Sequence, residues 1–225
     1  MLRTKIVCTL GPASDDEATI SALVEAGMAV ARINFSHGTH ADHARRIGLV
    51  RRVASLAGCS MAILADLQGP KLRVGLLPEN GIPLVEGGTV TLSNQASSKG
   101  ADLIPLPHPE VLREVRPGDR MLLDDGLLEL RVSDCDGEQV RAKVVVGGVL
   151  TSRKGLSLPH TSLRMPPITE KDRADAAFGV KQQVDYFGLS FVRCGEDVEH
   201  LRAWLHELGT DTPIIAKIEK PEALD

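Results

Sequence analysis

The sequence predicts an α/β fold, a partial (β/α)8 TIM-type barrel with five of eight strands and an inserted small all-β barrel domain. In residues 1–74 and 168–225, strand-like apolar runs alternate with amphipathic helical stretches, which is typical of a parallel sheet covered by helices. Residues 75–167 contain short β-type segments with frequent Gly and Pro. The predicted organisation is therefore one α/β domain interrupted by a β domain.

Three apolar runs end abruptly in polar or charged residues. They are residues 29–34 (AVARIN), 61–66 (MAILAD) and 213–219 (PIIAKIE). Continuous apolar runs of this length are typical of strands that are buried on both faces. Ionisable groups at the carboxyl ends of such strands are costly to desolvate, and they usually converge on a ligand.

Helix signals lie between the strands. Ser14 and Glu17 form an S-x-x-E capping box that predicts the start of the first helix. The second helix is predicted from about Thr39 to Ala57, with Gly58 as its stop. A further helix begins at Thr169, and its apolar positions are expected to face the core: Ala174, Ala177 and Phe178.

Repeated βα units are compatible with either a (β/α)8 barrel or an open doubly wound sheet. The sequence contains no G-x-G-x-x-G and no Walker A segment, which weakens the nucleotide-binding open sheets. Polar residues at the ends of several different strands favour the barrel. A complete barrel has eight strands and typically about 250 residues, so the five predicted strands form part of one.

Composition and charge exclude several classes of function. The formal net charge of −4 and the aromatic content of 3% argue against nucleic acid and anionic membranes as partners. No apolar run approaches the roughly 20 residues that a membrane-spanning helix needs, and the N-terminus lacks a signal-peptide pattern. The four cysteines are far apart, which favours buried free thiols over disulfides or a zinc site. We expect a soluble, cytoplasmic protein.

The third apolar run carries a lysine and a carboxylate on one face, because Lys217 and Glu219 are two residues apart on a predicted strand. Arg32 and Asn34 share a face for the same reason. At a barrel rim, Glu219 could hold a metal while Lys217 stabilises developing negative charge. The alternative is a structural ion pair or a solvated strand end, since such pairs are common.

Other charged residues have simpler interpretations. His37, His40 and His43 have a near-helical spacing that suggests zinc, but His40 and His43 are expected to be solvated helix residues. Trp204 is expected to cover a contact between a helix and the barrel. Four arginines are expected to lie in solvent on the outer face of the second helix: Arg45, Arg46, Arg51 and Arg52.

Six segments carry motifs in order along the chain: residues 4–14 (TKIVCTLGPAS), 31–38 (ARINFSHG), 66–75 (DLQGPKLRVG), 124–126 (DDG), 154–155 (KG) and 216–220 (AKIEK). Together they resemble the pyruvate kinase family over essentially the whole chain. The resemblance implies the first part of that family's barrel domain, with the β domain inserted after the third strand as a lid. It also implies phosphoryl transfer from phosphoenolpyruvate to ADP, giving pyruvate and ATP in the last step of glycolysis, by a cytoplasmic homotetramer.

The resemblance assigns roles to residues at the predicted rim. Lys217 would neutralise the transferring phosphoryl group and stabilise the enolate of pyruvate, and Arg32 would grip the phosphate of phosphoenolpyruvate. Ser190 and Phe191 would lie beside the substrate. Glu219 would be one carboxylate ligand of Mg²⁺ or Mn²⁺. These roles fit phosphoryl transfer, in which catalysis is mostly positioning and charge neutralisation.

Nucleotide binding is implied for residues of both domains: Asn34, His37, Arg73 and Lys154. His37 thus belongs to a substrate motif rather than to a zinc site. Asp125 would reach from the lid toward Arg32 and Arg73 on closure, which excludes water from the reaction.

The resemblance also extends to a monovalent cation site. The family's ligands are matched by Asn34, Ser36, Asp66 and the backbone carbonyl of Leu67. Members that require K⁺ typically have Glu where this chain has Lys71. The resemblance therefore implies the K⁺-independent branch, in which a tethered ammonium supplies the positive charge that K⁺ otherwise provides.

In the family, the second Mg²⁺ carboxylate lies in a Gly-Asp-Leu-Gly segment, which these 225 residues do not contain. Two hypotheses follow. The chain is the N-terminal portion of a pyruvate kinase, with impaired activity alone, or it is a non-catalytic phospho-ligand-binding or interaction module with the same fold. Because the ligand-facing residues Arg32, Lys154, Lys217 and Glu219 are all retained, we favour the first.

Overall fold

The chain folds into two compact units, each described by itself below. The computed structural model describes residues 4–98, 100, 102–159, 161, 163, 165–219 and 221–224. Met1–Pro70 together with Pro166–Asp225 form the first unit, here called the barrel unit, and Lys71–Met165 form the second, the β unit. The boundaries expected from the sequence, at 74/75 and 167/168, lie a few residues further along the chain.

Strands and helices follow one another along the chain in three groups. The first part of the barrel unit contains β1 (Ile6–Leu10), α1 (Glu17–Glu25), β2 (Met28–Asn34), α2 (His40–Ala57) and β3 (Ala62–Asp66). The β unit contains β4 (Ile82–Leu84), β5 (Thr89–Ser93), β6 (Leu103–Pro105), α3 (Pro109–Glu114), β7 (Arg120–Leu123), β8 (Leu128–Cys135), β9 (Gln139–Val146), β10 (Gly148–Leu150) and β11 (Leu156–Ser157). The barrel unit resumes with α4 (Glu170–Lys181), β12 (Tyr186–Leu189), α5 (Gly195–Glu207) and β13 (Ile214–Ala216). Short 3₁₀ turns span Pro12–Ser14, Asp124–Gly126 and Pro221–Leu224.

The five strands found among the described residues of the barrel unit lie in one parallel sheet, in the order β1-β2-β3-β12-β13. Spatial order follows chain order throughout, as it does in a barrel, whereas a doubly wound sheet reverses its strand order at a switch point. The prediction of a partial (β/α)8 barrel is confirmed. Because the strands are parallel, their carboxyl ends meet at one edge of the sheet.

The three apolar runs differ in burial. Ile63–Asp66 of β3 are all buried, as predicted for a central strand. In β2 the pattern alternates: Ala31 and Ile33 are buried, whereas Arg32 and Asn34 on the other face are half-buried. The edge strand β13 is largely exposed. Burial on both faces was therefore a wrong prediction for β2, whose second face is polar, and for β13, which has one neighbouring strand in the described sheet.

Two of the three predicted helix starts agree with the structure, and one differs. Thr39 and Thr169 each cap a helix by accepting the N–H of the aspartate three residues later, and Gly58 ends α2 in the left-handed conformation. The first helix begins later than predicted, since its N-cap is Asp16, whose carboxylate accepts the N–H of Thr19 at 2.8 Å. Ser14 instead closes the preceding 3₁₀ turn.

Two polar side chains of α2 that were predicted to be solvated are buried. His43 is 2% exposed, and its ring centroid lies 4.5 Å from that of Phe35. Arg46 is 7% exposed and lies 3.1 Å from the carboxylate of Asp15. Desolvation raises the pKa of Asp15, but its hydrogen bonds with Arg45 and Arg46 outweigh this and hold that pKa below its ordinary value. The prediction failed here because the partners come from other elements.

The remaining arginines of α2, His40 and Trp204 agree better with the predictions. Arg45, Arg51 and Arg52 are exposed, as predicted, but they are not only solvated. Arg45 pairs with Asp15, Arg52 pairs with Glu17, and Arg51 donates to the carbonyls of Gln182 and Gln183. His40 is about half exposed, but its Nε2 lies 2.7 Å from Asp175 and its ring stacks on Phe178, so it is not simply solvated. The indole N–H of Trp204 on α5 donates to the carbonyl of Arg173 on α4 at 3.3 Å. Trp204 therefore covers a contact between two helices.

The inward face of α4 differs in part from the prediction. Phe178 is half-buried and packs against the core of the barrel unit, as predicted, whereas Ala174 is exposed and Ala177 is half-buried. The buried positions are Asp172, Asp175, Ala176 and Gly179. The apolar pattern failed because it assigns carboxylates to solvent, whereas these two aspartates accept hydrogen bonds from the backbone N–H of Gly69 and from the ammonium of Lys171.

The cysteines form no disulfide and are less buried than expected. Cys8 and Cys135 are half-buried, and Cys59 and Cys194 are exposed. The prediction of four buried thiols is wrong, whereas that of free thiols is confirmed. Within the described residues, no helix has both the length and the apolar character needed to span a bilayer.

The β unit is built around its own apolar core. Its main sheet has six strands in the order β11-β7-β8-β9-β5-β6, and β10 pairs with β4 in a separate ribbon. The short helix α3 was not expected from the sequence. Pro109 occupies its first turn, and Val111 and Leu112 are buried in the core of the unit.

We expect the barrel unit to lose stability as the pH falls below about 6.5. Burial lowers the pKa of His43, and the nearby positive charge of Arg46 lowers it further, while Asp175 opposes both effects. The unfolded chain therefore takes up a proton that the folded chain resists, and the unfolding free energy falls. Urea unfolding followed by the fluorescence of Trp204, the sole tryptophan, measures this between about pH 7.5 and about pH 5.5.

His43→Phe keeps a ring against Phe35 without a titrating group, so its unfolding free energy should fall less over the same pH range. His200→Gln, at an exposed position of α5, serves as the control and should behave like the parent chain. Equal decreases in His43→Phe and the parent chain would show that His43 is not the group responsible.

Candidate active site

The carboxylate of Asp66, the last residue of β3, is the centre of a charge cluster at the carboxyl edge of the sheet. Its side chain is 3% exposed. Its Oδ2 accepts a hydrogen bond from Nε of Arg32 at 2.7 Å, and Nη2 of the same guanidinium also pairs with it. The Lys217 Nζ lies 3.1 Å from Oδ1, an ionic contact without hydrogen-bond geometry, and 3.3 Å from Oδ2. One buried carboxylate thus holds cations from two other chain segments.

Lys217 continues the cluster toward β12. Its Nζ donates to Oγ of Ser190 at 2.7 Å and lies 3.4 Å from Oε1 of Glu219. The Ser190 hydroxyl in turn donates to the carbonyl of Leu67 at 2.7 Å. The ammonium is therefore held in place by three side chains while 29% of its own side chain stays exposed.

Glu219 and Phe191 form the outer part of the cluster. The Oε2 of Glu219 accepts the backbone N–H of Phe191 at 3.0 Å. Phe191 has a φ of 59°, in the left-handed region that a bulky residue rarely occupies. Such strain persists where the surrounding structure over-determines it, which is common at functional sites.

The turn after β2 contributes the remaining barrel-unit candidates. The Oδ1 of Asn34 accepts the N–H of Ser36 at 3.0 Å, and the N–H of Phe35 donates to the carbonyl of Asp66 at 3.0 Å. His37 is exposed in the same turn. The backbone of this turn is thus attached directly to the end of β3.

The β unit carries its candidate residues close to one another in the fold of that unit. The Nη1 of Arg73 donates to the carbonyl of Arg153 at 2.8 Å, and Nζ of Lys154 lies 2.8 Å from Oδ1 of Asp124. Asp125 has a φ of 55°, again left-handed. The ammonium of Lys154 therefore has Asp124, not Asp125, as its ion-pair partner in the described residues.

Sequence reasoning missed part of this cluster. Asp66 was expected only as a ligand of a monovalent cation, whereas it is the anion that holds both Arg32 and Lys217. Thr9 on β1 was not expected to take part, but its Oγ1 accepts from Nη1 of Arg32 at 2.6 Å. The available signal for Asp66 was its position at the end of a fully apolar run.

The arrangement can bind an anion next to a carboxylate. Arg32 and Lys217 are each 29% exposed and are held on the same buried anion. Glu219 is about one-third exposed and provides a single oxygen-donor side chain nearby. Among the described residues, no group of three or more His, Cys, Asp or Glu side chains could hold a metal ion. A metal here would need oxygen ligands from substrate or water as well, which is usual for Mg²⁺.

These features define a (β/α)8-barrel protein with an inserted β domain and a cation–carboxylate site at the carboxyl ends of its strands. The family model described as "Pyruvate kinase, barrel domain" matches residues 1–225. The chain belongs to the pyruvate kinase family.

Individual relatives agree with this assignment. The pyruvate kinase of Corynebacterium efficiens is 43% identical over 222 residues, covering 99% of this chain and 47% of the relative. That of Mycobacterium tuberculosis is 42% identical over 223 residues, with the same coverage. That of Geobacillus stearothermophilus is 41% identical over 226 residues, covering 99% of this chain and 38% of the relative. The chain therefore spans about half the length of the curated relatives it matches, or less.

Removing the charge of Asp66 should destabilise the barrel unit. In Asp66→Asn, Arg32 and Lys217 would lose the anion that they share, and Lys217 would keep only Glu219 as an ion-pair partner. We expect a loss of about 2 kcal/mol, less than for a wholly buried pair because both cations reach solvent. Urea unfolding followed by Trp204 fluorescence is the measurement.

Glu199→Gln is the matched control, since Glu199 pairs with Arg202 on α5 and both side chains are more than half exposed. It should change the unfolding free energy by less than about 0.5 kcal/mol. Equal effects of the two substitutions would contradict a structural role for the buried carboxylate.

Proposed function

We propose that this chain forms part of a pyruvate kinase that transfers a phosphoryl group from phosphoenolpyruvate to ADP. The observation that carries the proposal is the position of Lys217, whose ammonium lies among Asp66, Ser190 and Glu219 while Arg32 shares the same anion. Family membership supports it. Cytoplasmic location, a role in glycolysis and assembly into a homo-oligomer belong to the same proposal.

The proposed chemistry needs positive charge more than it needs a nucleophile. Phosphoryl transfer passes through a transition state whose charge is spread over the phosphoryl oxygens. Arg32 would bind the phosphate of phosphoenolpyruvate, and Lys217 would neutralise the group in transit and then stabilise the enolate oxygen of pyruvate. Ser190 and Phe191 would border the substrate. Fixing Lys217 through three partners reduces the reorganisation needed during the reaction.

The residues present fit a divalent cation in part. Glu219 is a partly exposed carboxylate beside Lys217 and would be one ligand of Mg²⁺ or Mn²⁺, with substrate oxygens completing the shell. Such a metal would supply charge neutralisation at the phosphoryl oxygens. Asp66 is less suited to this role, because Arg32 and Lys217 already occupy its oxygens.

For the nucleotide, we propose contacts from Asn34 and His37 of the barrel unit and from Arg73 and Lys154 of the β unit. Lys154 and Arg73 present cationic groups suited to phosphates. Asp125 is proposed to act in lid closure. The family resemblance supports these assignments.

We further propose that activity does not depend on K⁺. Three of the four atoms expected to bind a monovalent cation already have partners within the barrel unit. Oδ1 of Asn34 accepts from Ser36, the carboxylate of Asp66 pairs with two cations, and the carbonyl of Leu67 accepts from Ser190. Lys71 would supply the positive charge instead.

Lys217→Met tests the proposed catalysis. The parent should be this chain joined to the remaining length of the Corynebacterium efficiens relative, because the two share 43% identity over 222 residues. Pyruvate formation from phosphoenolpyruvate and ADP should fall by about 10²-fold to 10³-fold when the ammonium is removed. Lys181→Met, at the exposed end of α4, is the control and should retain parental activity.

A folded parent chimera without turnover, under conditions in which the relative itself is active, would contradict the proposed function. If that chimera still binds phosphoenolpyruvate, the non-catalytic phospho-ligand-binding module becomes the better interpretation.

The K⁺ proposal is tested on the same chimera. Replacing tetramethylammonium by K⁺ at equal ionic strength should leave kcat unchanged. In Lys71→Glu the tethered charge is reversed, so K⁺ should then raise activity, and Lys181→Glu should show no such change. Strong activation of the parent chimera by K⁺ would refute the proposal.

A further inference from the structure

The carboxylate of Asp172 on α4 is buried and uses both of its oxygens, although it lies outside the charge cluster. Its exposed fraction is 0%. Oδ2 accepts from the backbone N–H of Thr169 at 2.8 Å and from its hydroxyl at 2.6 Å, which completes the cap of the helix. Oδ1 accepts the backbone N–H of Gly69 at 2.9 Å. The second contact reaches the loop that follows β3.

A second capping box in the same unit shows that a cap alone does not require this arrangement. Thr39 and Asp42 on α2 form the same pair of side-chain and backbone hydrogen bonds, at 3.0 Å and 2.7 Å. The side chain of Asp42, however, is 40% exposed, and its other oxygen lies 3.9 Å from Arg45. Burial of the aspartate and its hydrogen bond to Gly69 are therefore specific to the box on α4.

Gly69 packs directly against Ser190 and Phe191, which contact Lys217 and Glu219 of the charge cluster. It has a φ of 68°, and a Cβ placed on it would lie 3.0 Å from the carbonyl oxygen of Ser190 and 3.1 Å from the ring of Phe191. The loop after β3 thus packs without a gap on the residues after β12. Ser190 binds Lys217, and the N–H of Phe191 binds Glu219. Displacing Gly69 would release the backbone on which both contacts depend.

The neighbouring residue of α4 makes a parallel contact. Nζ of Lys171 donates to the carbonyl of Phe35 at 2.7 Å and pairs with Asp175, which is 3% exposed. Phe35 lies between Asn34 and Ser36 in the turn after β2. Two consecutive residues of one helix therefore hold backbone atoms of two different loops at the carboxyl edge of the sheet.

We propose that Asp172 is a positioning residue for the phosphoryl-transfer site. Through Gly69 it holds the loop after β3 against Ser190 and Phe191, and so fixes the geometry of Lys217 and Glu219. The part of this inference that concerns substrate rests on the proposed function, whereas the part that concerns the loop does not.

The experiment compares Asp172→Ala with Asp42→Ala in the 225-residue chain. Both substitutions remove one capping box, but only Asp172→Ala frees the Gly69 N–H. Amide hydrogen exchange resolved by residue should accelerate at Gly69 and Phe191 by about tenfold or more in Asp172→Ala, and by less than about twofold in Asp42→Ala. Thr169→Ala, which weakens the cap but leaves the contact of Oδ1, should also leave Gly69 unchanged.

Asp172→Asn serves if the alanine variant does not fold. Its amide oxygen can satisfy one of the two sets of donors but not both, so exchange at Gly69 should be intermediate. Unchanged exchange at Gly69 in the folded Asp172 variants would overturn the proposal.

A second measurement addresses substrate. The affinity of the chain for phosphoenolpyruvate with Mg²⁺, followed by backbone NMR shifts of Ser190 and Phe191, should fall about tenfold in Asp172→Ala relative to Asp42→Ala. Equal affinities of the two variants for phosphoenolpyruvate would overturn the proposed effect on substrate binding, even if exchange at Gly69 were faster in Asp172→Ala. If the unsubstituted chain does not bind phosphoenolpyruvate, the same affinities are compared in the chimera. Absence of binding in the folded chimera would mean that the proposed function fails, and the exchange at Gly69 alone would then decide whether Asp172 positions the loop.

Discussion

The ion pairs of Asp66 with Arg32 and Lys217 are the constraint on which the site depends. A carboxylate that is 3% exposed is tolerated only when cations or hydrogen-bond donors satisfy it. Here both partners are long side chains from other chain segments, and both are partly exposed on the other side. The buried anion therefore fixes two cations at the edge of the sheet without removing them from solvent. Two cations held in this way are suited to binding an anion.

The barrel architecture brings these charged residues together. Parallel strands in sequential order bring the carboxyl ends of β2, β3, β12 and β13 to one edge of the sheet. Residues at these neighbouring strand ends supply the anion, the cations and the hydroxyl. The helices then stabilise the loops. Lys171 and Asp172 at the start of α4 bind backbone atoms after β2 and β3, and the strained Phe191 is held by Glu219. Rigid elements thus hold the site more precisely than free loops could.

Local patterns predicted the elements well and the buried polar contacts poorly. The barrel-unit strands, the helix starts at Thr39 and Thr169 and the stop at Gly58 follow from neighbours a few residues apart, and the structure has all of them. The capping box predicted at Ser14 does not start α1, whose N-cap is Asp16. His43 and Arg46 were expected in solvent but are buried, because their partners Phe35 and Asp15 come from other elements. Hydrophobic periodicity cannot detect such partners, since it scores each polar residue as solvated.

The sequence by itself determined the fold class, the family and the identity of the charged residues at the strand ends, since all three follow from local periodicity and ordered motifs. Only the tertiary structure decided how those charges are paired. It showed that Asp66 is the shared anion, that Thr9 and Ser190 complete the hydrogen bonds, and that Asp172 is buried against Gly69. The physical reason is that the free energy of a buried charge depends on which donors surround it in space. Residues more than a hundred positions apart, such as Asp66 and Lys217, become neighbours only when the sheet forms.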